Sequence, residues 1–148
     1  MNKFKILDQE FEIKSATLEE YVDESNNPVW TLMIDTNDKE LAWESSETSA
    51  PNVRCEDMLS RWGNIEALQG KTIYVPDAYD TEIDECLFSL YVFEHEDVFE
   101  STITFGQIKN NKMPINWVGK CNVNWDGKYS SNLPIEIDAE LSLSLIHI

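Results

Sequence analysis

The chain has 148 residues, with 28 acidic and 11 basic side chains and a formal charge of −17 at pH 7. That balance excludes a general electrostatic hold on DNA, RNA or an anionic bilayer, because phosphate repels it. With 42% apolar residues, there is material for one packed core of ordinary domain size, which argues against disorder.

Period-two alternation dominates from the start. Phe4, Ile6, Phe11 and Ile13 are separated by Lys3, Lys5, Glu10, Glu12 and Lys14, as in half-buried strands. A two-residue turn at Asp8-Gln9 sets Ile6 opposite Phe11, Phe4 opposite Ile13, and Lys5 opposite Glu12 on the wet face. A strand is expected over 17–22. A turn follows at Ser25-Asn26-Asn27-Pro28, then a strand over 29–36 that alternates through Trp30, Leu32 and Ile34. After Asn37-Asp38-Lys39, a short return strand is expected over 41–44, and 45–50 is a loop.

The one expected helix spans 53–62. Cys55, Met58, Leu59 and Trp62 fall at i, i+3, i+4 and i+7, a single apolar stripe. Asn52 is placed to cap it, Arg61 to sit in its last turn and Gly63 to follow. Beyond the Gln69-Gly70 turn, 72–75 is a strand ended by Pro76-Asp77. The segment 86–93 is apolar on both faces and is expected to be a central strand. Three long strands complete the chain over 99–108, 115–123 and 135–146, with Asn110-Asn111 turning the first into the second. In the last, Ile135, Ile137, Ala139, Leu141, Leu143 and Leu145 share one face, and Ile146 and Ile148 break the phase. The expectation is one all-β domain: an antiparallel β-sandwich or flattened barrel of eight to ten strands with one short α-helix.

Little in the sequence spells out a reaction. Cys55, Cys86 and Cys121 are odd in number and form no C-x-x-C pair, so neither a disulfide framework nor a zinc site is indicated. The two histidines are His95, in the charged turn Glu94-His95-Glu96-Asp97, and His147 near the end. There is no nucleophile elbow, phosphate loop or dinucleotide fingerprint. Glu136, Asp138 and Glu140 form a carboxylate ladder, and paired carboxylates can hydrolyse glycosides. On a strand, this is also the composition of a solvent face. Asp77, Asp80, Glu82, Asp84 and Glu85 lie close together, but the glycine and spacing of a calcium-binding EF-hand loop are missing. No catalytic residue, metal or cofactor is assigned. The start of the sequence has no secretory h-region, and no stretch approaches the roughly 18 apolar residues of a membrane helix. A cytoplasmic protein is expected.

The distribution of charge is the informative feature. Between residues 72 and 108 there are nine carboxylates and neither lysine nor arginine. Lys109, Lys112, Lys120 and Lys128 then follow in one short window. Like charges repel, so such an excess does not serve stability. It suits either plain solubility or attraction to a basic partner, because complementary charge raises association rates. Nucleases carry basic clefts of this kind. Tyr74, Tyr79, Tyr91 and Phe99 are aromatic contact candidates inside the acidic region.

This small, acidic profile without a signal resembles bacterial immunity proteins that neutralise toxins of contact-dependent or type VI systems. The stretch Trp117-Val118-Gly119-Lys120-Cys121-Asn122-Val123-Asn124-Trp125-Asp126, followed by Leu133-Pro134-Ile135-Glu136-Ile137, is similar to C-terminal hairpins in uncharacterised proteins of such loci. The resemblance implies tight, reversible blocking of a toxin without catalysis. The expected interface is Tyr79, Asp80, Glu82, Asp84, Glu85, Glu94, Glu96 and Asp97, with carboxylates steering and tyrosine anchoring. The alternative is a small-ligand or carbohydrate-binding β-domain, with Trp43 or Trp125 in a concave pocket; Trp30, Trp62 and Trp117 fit buried periodicity.

Overall fold

Alternation governs the backbone throughout. The computed structural model describes residues 2–7, 9–22, 24–26, 28–40, 48–59, 65–80, 85–86, 88–92, 95–125 and 128–145. Strands β1 (Lys3–Ile6), β2 (Gln9–Phe11), β3 (Ile13–Val22), β4 (Pro28–Thr36), β5 (Lys39–Glu40), β6 (Thr48–Ser49) and β7 (Asn52–Leu59) precede a single helical turn, α1 (Ile65–Leu68). After it come β8 (Thr72–Val75), β9 (Tyr79–Asp80), β10 (Glu85–Cys86), β11 (Ser89–Tyr91), β12 (His95–Phe105), β13 (Lys112–Trp125) and β14 (Lys128–Leu145).

Seven strands close a barrel in the order β13-β12-β11-β7-β4-β3-β14, with β14 returning to β13. Closure removes the free edges that a sandwich would leave. β14 is long enough to use one edge twice. Residues Ile135 to Asp138 pair with β1, and Ser142 to Leu145 pair with β3. The β1–β2 hairpin therefore extends the wall beside β14, while β8 lies beside the C-terminal half of β12. Two hydrogen bonds reach β2 and the residue that follows it: Lys39 Nζ donates to Glu10 O at 2.8 Å, and Asn37 N donates to Glu12 O at 2.9 Å.

Inward-facing positions form continuous rows. Leu143, Leu18, Leu32 and Cys55 are register neighbours across β14, β3, β4 and β7, and all four are buried. Trp117 packs on Phe88 at 5.0 Å between ring centroids, and Trp30 meets Phe105 edge-on at 6.4 Å. These rings fill the barrel with apolar area, the main stabilising contribution to such a core.

Several elements differ from expectation. The segment 53–59 is strand β7, and 60–62 lie outside the described residues. A bulge explains the helical spacing: Cys55 and Met58, three apart, lie opposite Leu32 and Trp30, two apart. The first hairpin pairs Phe4 with Phe11 and Ile6 with Gln9. Shifting the register by two conserves both faces, so alternation alone does not choose between the two pairings. Leu7, at φ 57°, makes the turn.

The barrel is also not wholly antiparallel, because β3 and β14 run parallel. Nearly the whole chain separates them, which supplies the long connection that parallel neighbours require. The expected strand over 86–93 is split, since β10 pairs with β9 whereas β11 inserts between β7 and β12. His95 opens β12 opposite Tyr91 and so lies in a strand rather than a turn. Within the expected loop, Thr48–Ser49 pairs with Lys39–Glu40. The return strand at 41–44 and the phase break at Ile146 and Ile148 lie outside the described residues.

Candidate interaction surface

The acidic segment is held to the barrel at two points on β12. Glu100 N donates to Pro76 O at 2.8 Å, and Val98 N donates to Phe88 O at 3.4 Å. The chain thus leaves β12 at Pro76 and returns to it two residues away, at Phe88. Between these feet, β9 and β10 form a short ladder with Asp80 opposite Glu85 and Tyr79 opposite Cys86. Ala78 is buried and Tyr79 is 45% exposed.

The expected interface residues are only partly brought together. Tyr79, Asp80 and Glu85 share the ladder, and Asp97 is exposed opposite Ser89, close to the Phe88 foot. Glu96 is opposite the fully buried Leu90, and alternation places it on the other face of β12 from Asp97. It lies half-buried near Cys121, whose thiol is pushed up to about 12, first by burial and then by the Glu96 charge. Glu82, Asp84 and Glu94 lie outside the described residues.

A bulge shapes the wall beside the two feet. Phe99 and Thr102 on β12 face Lys120 and Val118 on β13, so β12 carries one extra residue, with Glu100 at φ 49°. The bulge shifts the phase: Phe99 becomes half-buried on the outer wall, while Ser101 turns fully inside. There Trp117 Nε1 donates to Ser101 Oγ at 3.0 Å. Outside, Glu100 pairs with Lys120 at 3.3 Å.

Sequence reasoning named Tyr74 as a contact candidate but missed Val118 and the outer wall to which both belong. Tyr74, Thr102, Val118, Glu136 and Lys5 are successive register neighbours across β8, β12, β13, β14 and β1. Tyr74 is 60% exposed and Val118 is 44% exposed. Val118 had a legible signal, because it interrupts the polar phase Asn116, Lys120 and Asn122. Some of the charged side chains on this wall are partnered within the chain. Lys3 Nζ lies 3.0 Å from Glu136, an interaction that raises the lysine pKa above its ordinary value, and Asn116 Nδ2 donates to Asp138 Oδ1 at 2.7 Å.

Two shallow grooves flank the same wall. One, of about 440 Å³, is lined by Lys3, Pro114, Ile115, Asp138, Ala139 and Glu140. The other, of about 450 Å³, lies by the Lys109–Lys112 turn and shares Pro114 and Glu140. Neither is lined by an aromatic ring. Trp43 lies outside the described residues. Among the described residues, no group of three or more His, Cys, Asp or Glu side chains is placed to hold a metal ion, and no helix is long and apolar enough to cross a membrane.

Comparison with known proteins finds no matching family model, no matching curated protein and no matching solved structure.

Proposed function

We propose that this chain is a non-catalytic binding protein that neutralises a basic partner, acting as an immunity protein against a bacterial toxin such as a nuclease. The supporting observation is the acidic segment between Pro76 and Phe88. It carries Asp77, Asp80, Glu82, Asp84 and Glu85, is tied to β12 at both ends, and lies in a stretch without lysine or arginine. In this reading the carboxylates attract the partner from a distance, and Tyr79 and Asp97 meet it. The partner is a cytoplasmic protein domain with a cationic cleft, and no cofactor takes part.

Co-expression with the protein encoded beside this chain in its genome tests the reading. Protection of the host cell, and a complex of the two purified proteins, are expected. Charge reversal at Asp80, Glu82, Asp84 and Glu85 should slow association, and added salt should erase the difference between variant and parent. A neighbouring product that is harmless, or that fails to bind, overturns it.

A further inference from the structure

The two properties of a tight interface, long-range attraction and close apolar contact, lie side by side on this molecule. The acidic segment supplies the first. The outer wall of β8, β12 and β13 supplies the second, and the Pro76–Glu100 hydrogen bond joins them. We infer that the exposed Tyr74–Thr102–Val118 row is the anchoring half of the interface, and that its occupant is the same basic partner drawn in by the acidic segment. The inference rests on the function proposed above and adds to it the docking surface and the division of labour.

Charge argues for that occupant. Glu100 and Glu136 on this wall are neutralised by the chain's own Lys120 and Lys3 at 3.3 and 3.0 Å. The wall therefore offers an approaching protein exposed apolar side chains beside two carboxylates that are already ion-paired. Tyr74, Val118 and Leu7 are three of the five large hydrophobic residues most exposed among the described residues. The remaining two, Tyr79 and Tyr91, lie on or just beyond the acidic segment.

Leu7 marks the far edge of the wall, where its N–H donates to Pro134 O at 2.8 Å. It is 43% exposed and held at φ 57°, a conformation that disfavours bulky side chains. Asparagine or glycine would occupy that turn with less strain, yet the sequence holds an apolar side chain there, in view of solvent. Strain of this kind concentrates where a surface serves binding. A second copy of this chain is a poor occupant, because the adjoining acidic segments of two molecules would repel each other at −17 apiece.

The test uses the full chain and the protein encoded beside it, followed by surface plasmon resonance at low and high salt. The double variant Tyr74→Thr, Val118→Thr keeps β-compatible residues on the wall, and circular dichroism checks its fold. Its complex should dissociate about tenfold faster, with association and its salt dependence unchanged. The fourfold charge reversal should show the opposite pattern. Wild-type dissociation from the folded double variant overturns the inference while leaving the proposed function standing. Absence of binding by the parent chain removes both. A concentration-dependent dimer of the parent chain, lost in the double variant, identifies the wall as a self-interface and also overturns the inference.

Discussion

The indole N–H of Trp117 donates to Ser101 Oγ at 3.0 Å inside the barrel, with both residues essentially inaccessible to solvent. A hydroxyl at an inward position of β12 has a clear purpose here: without it, a buried donor loses its acceptor. The bulge at Glu100 brings Ser101 to that point and simultaneously turns Phe99 outward. One backbone irregularity thus satisfies the core and shapes the outer wall.

Replacing Ser101 with alanine should destabilise the protein by about 1–3 kcal/mol, the cost of an unsatisfied buried polar group. Ser101→Thr, which keeps the acceptor, retains the hydrogen bond but adds a methyl group to a packed site. Urea unfolding monitored by tryptophan fluorescence separates the two. Equal stability of Ser101→Ala and the parent would show that the hydrogen bond contributes nothing.

Gly119 permits the close approach of β13 to the bulge. A Cβ at this position would lie 3.1 Å from Phe99 O and 3.2 Å from Ser101 Oγ. Gly119→Ala should cost about 1–3 kcal/mol as overpacking, and it should shift the amide resonances of Phe99 and Glu100. A stable variant with unchanged shifts would place the constraint elsewhere.

Cys121 should resist alkylation at neutral pH, because its thiol is pushed up to about 12 by burial and by Glu96. In the unfolded chain the same thiol ionises near its ordinary value. Its contribution is fully present below that value and is lost as pH rises toward 12, because unfolding then releases a proton. Denaturant titrations between pH 8 and 11 should show a decline in stability that Cys121→Val lacks. A parallel decline in both proteins would assign the effect to other groups.

Leu7 tests the strain in the first turn. Leu7→Asn should raise stability by up to about 1 kcal/mol, since asparagine tolerates the left-handed region better. Thermal unfolding reads the change. A loss of stability would mean that the half-exposed leucine side chain contributes more through packing than its backbone costs.

Much of the architecture was legible from alternation. The strands expected over 29–36 and 72–75, and the described part of the one expected over 135–146, follow directly from it, because a strand with one face on a core must alternate. The helix assigned to 53–62 was misread at a bulge, where an extra residue lets same-face spacing imitate a helical turn. Glu96 and Asp97 looked alike as neighbours in an acidic run, but a strand sends consecutive residues to opposite faces. The outer wall was hidden for a further reason. Tyr74, Thr102, Val118 and Glu136 are far apart in sequence, and only pairing among four strands makes them a row.

Composition and local periodicity alone settled the β class, the excess of carboxylates and the apolar faces, since each depends on residue type and near neighbours. Barrel closure, the parallel contact of β3 with β14 and the union of an acidic segment with an apolar wall were decided by the folded chain. These depend on contacts between residues distant in sequence, and no nearest-neighbour pattern encodes which strand will stand beside which.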